Sequence, residues 1–203
     1  MHSCSSRWQA PKDGRRRTSI AAMIGTVDRA FSWVRLPGSP GSSFGQRHLL
    51  HHRRRVVHFN VTDSPTAAWT AQQVVEAFPH DSALRFLIRD RDGIFGGQFR
   101  QRVKAIGLAE VLITPHSPWQ NPFAERVIGT IRRELLDHVI VLNERHLRRR
   151  LRNYLGYYHA SRTHLALGKD APEPRPIEPP ERGDIVAVPQ VGGLHHRYIR
   201  CAA

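Results

Sequence analysis

The sequence is poor in acidic residues and in cysteine, and it lacks long apolar runs. Its 203 residues include 17 Asp and Glu against 31 Lys and Arg, and two cysteines. Cys4 and Cys201 stand near opposite ends of the chain, which excludes a CxxC metal motif and a dense disulfide framework. No stretch approaches the roughly 18 consecutive apolar residues of a membrane helix. We therefore expect no membrane contact and a reducing, cytoplasmic location.

The excess of basic residues predicts a polyanionic partner. The formal net charge is +14, which favours nucleic acid over other partners. Much of this charge lies in residues 1–62, which hold eleven basic and two acidic side chains. Residues 37–45 in this segment, PGSPGSSFG, form a low-complexity stretch. We expect residues 1–52 to be an atypical segment with little order, so total charge is a weak indication of DNA binding by the rest.

Apolar patterning predicts alternating strands and helices between residues 54 and 114, as in an α/β fold. The predicted strands are 54–62, 84–88 and 109–114, and the predicted helices are 65–77, with Ser64 as N-cap, and 95–106, closed by Gly107. Pro115–Pro122 contains three prolines and predicts a loop.

Two amphipathic helices are predicted next, with apolar residues from Ala124 to Val139 and then over Glu144–Tyr158. The second helix should bury Leu147, Leu151, Tyr154, Leu155 and Tyr158. A proline-rich linker and a hairpin over 184–191 and 194–199 should follow. These patterns divide the chain into residues 1–52, a core over 53–170, and a linker with a short hairpin over 171–203.

Three acids occupy positions suited to chemistry. Asp90 and Asp92 follow a predicted buried strand, and Glu125 lies in the first turn of a predicted helix. Ligands of open α/β sheets bind outside the carboxyl ends of the strands. Clustered carboxylates attract hard divalent cations such as Mg²⁺, which can activate a hydroxyl for phosphodiester chemistry. The alternative is that Asp90 and Asp92 are turn and cap residues.

Two segments resemble the integrase core domain of bacterial insertion-sequence transposases and retroviral integrases, the DDE group. They are IRDRDGIFGGQF at 88–99 and ITPHSPWQNPFAERVIGTIRRE at 113–134, and the resemblance extends from about Arg53 to Asp170. Asp90 with Phe95 matches the family's second motif. The third motif matches a larger set: Asn121, Glu125, Gly129, Thr130, Arg132 and Arg133. Glu125 follows Asp90 by 35 positions (125 − 90), close to the interval expected for this pair.

The resemblance implies an RNase H-like mixed sheet flanked by helices and a metal-dependent DNA strand-transfer activity. Asp90 and Glu125 would be the catalytic residues and the ligands of Mg²⁺ or Mn²⁺, with Asp92 as the competing candidate for the second acid. DNA would be the partner, with a homo-oligomer as the working form. The residues expected to contact DNA are Gln120, Asn121, Arg126, Arg132 and Arg133. Gln120 and Asn121 have an alternative role in satisfying backbone groups of the loop.

The family's first aspartate, expected on the central strand of a three-stranded meander, has no clear counterpart. Asp28 is the one acid in range, within residues 24–36, whose apolar pattern is helical. We expect the first two strands to be missing or distorted, as after truncation or a shifted reading frame. Two hypotheses follow: a DDE-type enzyme with impaired activity, and a non-catalytic DNA-binding or dimerising remnant.

Overall fold

A computed structural model describes residues 21–26, 30–35, 54–78, 86–115, 117, 120 and 122–202, with the backbone alone at 21–26, 30–35, 122 and 123. These residues form a mixed α/β structure, compatible with an RNase H-like fold, and a separate two-stranded sheet. The strands are β1 (Ala21–Thr26), β2 (Ala30–Arg35), β3 (Val56–Thr62), β4 (Phe86–Arg89), β5 (Ala109–Leu112), β6 (Asp184–Gln190) and β7 (His195–Cys201). The α-helices are α1 (Ala67–Ala77), α2 (Gly97–Ala105), α3 (Pro122–Glu134) and α4 (Glu144–Ala160).

The large sheet has five strands in the order β3-β1-β2-β4-β5. β1 pairs antiparallel with both β2 and β3, while β2, β4 and β5 run parallel. The backbone N–H of Ile113 donates to the carbonyl of Arg89 at 3.0 Å, so the pairing of β4 with β5 continues past Leu112. The carboxyl ends of these two parallel strands are therefore level.

The first two strands were expected to be missing or distorted, and the first of these alternatives is wrong. β1 and β2 are both present, and residues 30–35 form a strand where a helical pattern was noted. Short apolar runs satisfy both periods, and pairing with β3 and β4 decides in favour of the strand. Their order is not that of a meander, because β1 lies between β2 and β3. Asp28 lies outside the described residues.

Two apolar clusters hold the helices in place. One joins β3 to α3 and α4 and includes Val61, Ile131 and Leu151. The other joins α1, β4 and α2 and includes Val74, Leu87 and Phe99. All five side chains predicted for the inner face of α4 are buried, which confirms that prediction.

Several predicted element boundaries shift. Thr66, not Ser64, caps α1, because its hydroxyl accepts from the backbone N–H of Trp69 at 3.2 Å. The helix predicted from Phe95 begins at Gly97, after a 3-10 turn over Gly93–Phe95. α3 ends at Glu134 because Leu135 leaves the helical region, and Leu136–His138 form a 3-10 turn.

The C-terminal hairpin is confirmed. β6 and β7 pair antiparallel over their whole length around a turn at Val191–Gly193. The His195 ring stacks on Tyr157 at 4.6 Å between centroids and contacts the carbonyl oxygen of Glu134 at 2.8 Å. The hairpin therefore rests on α3 and α4. The division of the chain at residues 52 and 170 stays a prediction.

Candidate active site

Asp90 and Asp92 each accept a hydrogen bond from a backbone N–H group in the turn after β4. Asp92 Oδ1 accepts from the backbone N–H of Ile94 at 3.1 Å and caps the 3-10 turn. Asp90 Oδ1 accepts from the backbone N–H of Asp92 at 3.0 Å. Both contacts match the alternative interpretation of turn and cap residues, and Asp90 is the acid that directly follows the strand.

Arg89 fixes the backbone of this turn. Its Nη1 donates to the carbonyl oxygen of Asp90 at 2.8 Å, and its Nε donates to the carboxylate of Glu110 on β5. The guanidinium also lies over the rings of Phe95 and Phe99, 5.3 and 5.6 Å from their centroids. Only 5% of Arg89 is exposed. Asp90 is thus attached to a buried ion pair that spans two parallel strands.

Sequence reasoning missed this pair. Arg89 reads as a polar residue ending an apolar run, and Glu110 as an acid inside a short strand. Their contact depends on the parallel register, in which Leu87 is opposite Glu110 and Arg89 is opposite Leu112. The pair could be recognised from a basic residue and an acid at diagonal positions of adjacent strands, but only after the register of those strands is known.

Glu125 lies in the first turn of α3, as predicted, and is half-buried. The N-terminal end of a helix favours a carboxylate because the backbone N–H groups there point outward. α3 follows β5 after a proline-rich loop and lies against β2, the strand next to β4. Asp90 thus follows β4, and Glu125 follows the neighbouring parallel strand β5 after the proline-rich loop. Their convergence on one metal ion stays a prediction.

The predicted DNA-binding residues differ in their surroundings. Gln120 is exposed, but its side chain accepts from Thr114 N–H at 2.9 Å and donates to the Thr114 hydroxyl at 3.1 Å. That pairing favours its alternative role in holding the loop. Asn121 lies outside the described residues.

The three arginines of α3 are all exposed. Arg132 lies 3.8 Å from Asp137, an exposed contact of little energetic weight. The Arg133 guanidinium lies over Gly129, where a Cβ atom would come within 3.0 Å of Nη1. Glycine at this position therefore lets a cation fold back along the helix toward the turn of Glu125. Arg126 adds to a positive region with Arg54 and Arg162, and burial followed by this repulsion lowers the pKa of Arg54.

The arginines of α4 do not share one environment. Arg148 donates to the Asn60 side chain at 3.2 Å and to the Val61 carbonyl at 2.8 Å, which attaches α4 to β3. Arg145, Arg149 and Arg152 are exposed. Arg148 thus differs from these three arginines, because its partners are on the sheet.

Carboxylate oxygens are suitable ligands for Mg²⁺, which proteins often hold with one or two carboxylates while substrate phosphates and water complete the shell. Asp90 and Glu125 supply carboxylates of this chemical type, and their joint binding of a metal ion stays a prediction. Among the residues that the structure describes, no three His, Cys, Asp or Glu side chains form a group able to share a metal ion. No helix in the described part of the chain is long and apolar enough to span a membrane.

The family comparison covers Glu125 but not Asp90. A search of curated proteins finds no match. Residues 107–172 match the family model described as the integrase core domain, a segment that runs from the end of α2 through α3 and α4 and contains Glu125. This confirms the resemblance to the integrase family and supports a role in DNA integration or transposition in general. Residues 107–172 are therefore similar to the integrase core domain.

Proposed function

We propose that the protein is a DDE-type transposase or integrase core that cleaves and joins phosphodiester bonds in DNA with Mg²⁺ or Mn²⁺. The observation that supports it best is the match over 107–172 together with the place of Glu125 in the first turn of α3. Asp90, at the carboxyl end of β4, is the second acid. In this proposal the sheet is RNase H-like and DNA is the substrate.

Asp90 and Glu125 would hold the metal ion, which would supply charge neutralisation at the scissile phosphate and a lower pKa for the attacking hydroxyl. Integrase-type domains typically use divalent metals. The protein's own contribution is positional: Arg89 holds the Asp90 backbone, and Asp92 caps the turn that follows. Arg126, Arg132, Arg133 and Asn121 would contact the DNA backbone near α3, and a homo-oligomer would bring two DNA ends together.

A second candidate function is DNA binding without cleavage. β2 is the strand hydrogen-bonded to β4, and its sequence AFSWVR contains no acid. Neither β1 (AAMIGT) nor β3 (VVHFNVT) contains one. A metal centre completed by an acid on the neighbouring strand would lack that ligand here. The protein would then be a non-catalytic remnant that still binds DNA.

Nicking of supercoiled plasmid DNA separates the two candidates. The enzyme hypothesis predicts nicking by the wild type with Mg²⁺ or Mn²⁺ and a loss of about 100-fold or more in Asp90→Asn and in Glu125→Gln, since each removes a metal ligand. Asp137→Asn, at an exposed acid, is the matched control and should keep its activity. A wild type that nicks at no concentration of either metal, yet binds DNA, supports the second candidate.

A further inference from the structure

A cavity of about 590 Å³ lies between the C-terminal hairpin and the segment that precedes it. One wall is the hairpin, with Ile185, Tyr198 and Arg200. The other wall comes from residues 168–170 and 175–178. Its size is within the range of about 300 to 1,000 Å³ that is common for ligand sites. The cavity is remote in sequence from Asp90 and Glu125.

The lining of the cavity is cationic. Four basic residues and two acids contribute: Lys169, Arg175, Arg197, Arg200, Asp170 and Glu178. Both acids already accept from the main chain, Asp170 from Ala171 N–H and Glu178 from Arg200 N–H. The net charge of the lining therefore favours an anionic occupant.

Two of these cations are half-buried without a protein acceptor. Arg175 and Arg197 have no side-chain hydrogen bond or ion pair with any residue in the described part of the chain. Arg200, in contrast, donates to the Gly183 carbonyl at 2.9 Å. A guanidinium presents a fork of donors that matches the oxygens of a phosphate, and partial desolvation strengthens such a contact.

Apolar side chains line the same cavity and remain exposed. Ile177 is 95% exposed and Tyr198 is 61% exposed, although both are large and apolar or aromatic. Tyr198 lines the same cavity as Arg175 and Arg197. Aromatic rings interleaved with cations are typical of proteins that stack unpaired bases and contact the adjacent phosphates.

The backbone at the rim is held in a costly conformation. Lys169 has φ = 66°, in the left-handed region that residues with a Cβ atom seldom adopt, directly after Gly168 at φ = 63°. Hydrogen bonds from Lys169 N–H to the His164 carbonyl and from His164 N–H to the Asp170 carbonyl, each 3.0 Å long, hold this turn. Strain of this kind accompanies functional sites more often than ordinary surface turns.

We propose that this cavity binds an unpaired nucleotide of a DNA strand, with the base on Tyr198 and the phosphates on Arg175 and Arg197. The proposed function supplies the identity of the strand as DNA, but this binding needs no cleavage. Nucleotide binding in this cavity would give the hairpin a role in holding a frayed or displaced strand.

The test is fluorescence anisotropy of the full chain with a labelled 12-nucleotide single strand and with the corresponding duplex. We expect Arg175→Ala with Arg197→Ala to weaken single-strand binding by about tenfold or more and to lower the salt slope by about 1.4, the value for two lost phosphate contacts. Tyr198→Ala should weaken binding by about tenfold, and Tyr198→Phe should restore it because the ring remains. Arg182→Ala is the matched control, since Arg182 is an exposed arginine at the base of the hairpin that does not line the cavity.

Equal losses in Arg182→Ala and in the double variant overturn the inference, because they indicate general electrostatic attraction. Equal losses for duplex and single strand also overturn it, as does displacement of the strand by a mononucleotide at similar concentration, which indicates a free nucleotide site. If the wild type does not nick DNA but binds the single strand through these residues, the proposed cleavage activity is contradicted and the proposed role of the cavity is supported. If the cavity variants nick DNA normally and bind the single strand as the wild type does, the proposed role of the cavity is contradicted and the proposed cleavage activity is not.

Discussion

At the scale of single residues, a buried charged network connects α3, α4 and the turn after α4. Arg162 forms hydrogen bonds to both carboxylate oxygens of Glu134, and the Tyr154 hydroxyl donates to Glu134 Oε2 at 2.7 Å. Burial alone would raise the pKa of Glu134, but these hydrogen bonds outweigh it and lower the pKa. Burial and the contact with Glu134 raise the pKa of Tyr154, so this tyrosine stays protonated.

Protonation of His164 at low pH destabilises this network. Burial first, then repulsion from Arg162 and Arg54, lowers its pKa from 6.5 to about 4. Its Nδ1 lies 3.2 Å from Arg162 Nη1, and its buried Nε2 has no hydrogen-bond partner among the described residues. Protonation would place a second cation against a guanidinium.

The unfolded chain therefore binds a proton at His164 more readily than the folded chain does. The contribution of this residue to the free energy of unfolding is complete above pH 6.5 and falls as the pH drops toward 4, by up to about 3 kcal/mol. Urea unfolding across this range should show a weaker pH dependence in His164→Gln than in the wild type. His138→Gln, at an exposed histidine, should follow the wild type, and an equal pH dependence in all three proteins would contradict the assignment.

At the scale of elements, the Arg89–Glu110 ion pair joins β4 to β5 beneath the candidate site. The Arg89 side chain is 7% exposed and that of Glu110 is 20% exposed, so water screens the pair only in part. Substitution of Arg89 or Glu110 alone leaves the other charge without a partner in a partly apolar environment. Substitution of both residues removes both charges and leaves no unpaired charge.

We expect Arg89→Met or Glu110→Gln alone to lower the free energy of unfolding by about 2 to 3 kcal/mol, and the double variant to lose less than the sum of the two. A double-mutant cycle by urea unfolding measures the coupling. The matched cycle at Arg132 and Asp137, both about half exposed, should give a coupling below about 0.5 kcal/mol. Strict additivity at Arg89 and Glu110 would show that they do not act as a pair.

At the scale of the whole molecule, the elements from β3 to β7 could be predicted from sequence, apart from their ends. Buried residues such as Leu147 and Leu151 recur with the helical period in α4, so local pattern and tertiary packing agree. The helix ends could not be predicted as well. Thr66 and Ser64 are both capping residues, and the choice between them depends on where the backbone turns.

The structure of β1 and β2 and the contacts that hold Asp90 depend on residues distant in sequence, so they could not be predicted from local pattern. The apolar pattern of residues 24–36 indicated a helix, whereas residues 21–26 and 30–35 are strands through pairing with β3 and β4. Asp90 and Glu125 could be selected by their positions at a strand end and a helix start. The Arg89 contacts that hold Asp90 could not, because they require the register of β4 against β5 and the packing of α2.

In the proposed function, Asp90 and Glu125 together hold a divalent metal ion. Binding of Mn²⁺ to the full chain, measured by the loss of its free electron paramagnetic resonance signal, tests this without requiring cleavage. We expect binding by the wild type, a loss of affinity of about tenfold or more in both Asp90→Asn and Glu125→Gln, and little change in Asp92→Asn, whose side-chain oxygen can still cap the turn. Equal Mn²⁺ affinity in the wild type and in both Asp90→Asn and Glu125→Gln would contradict it.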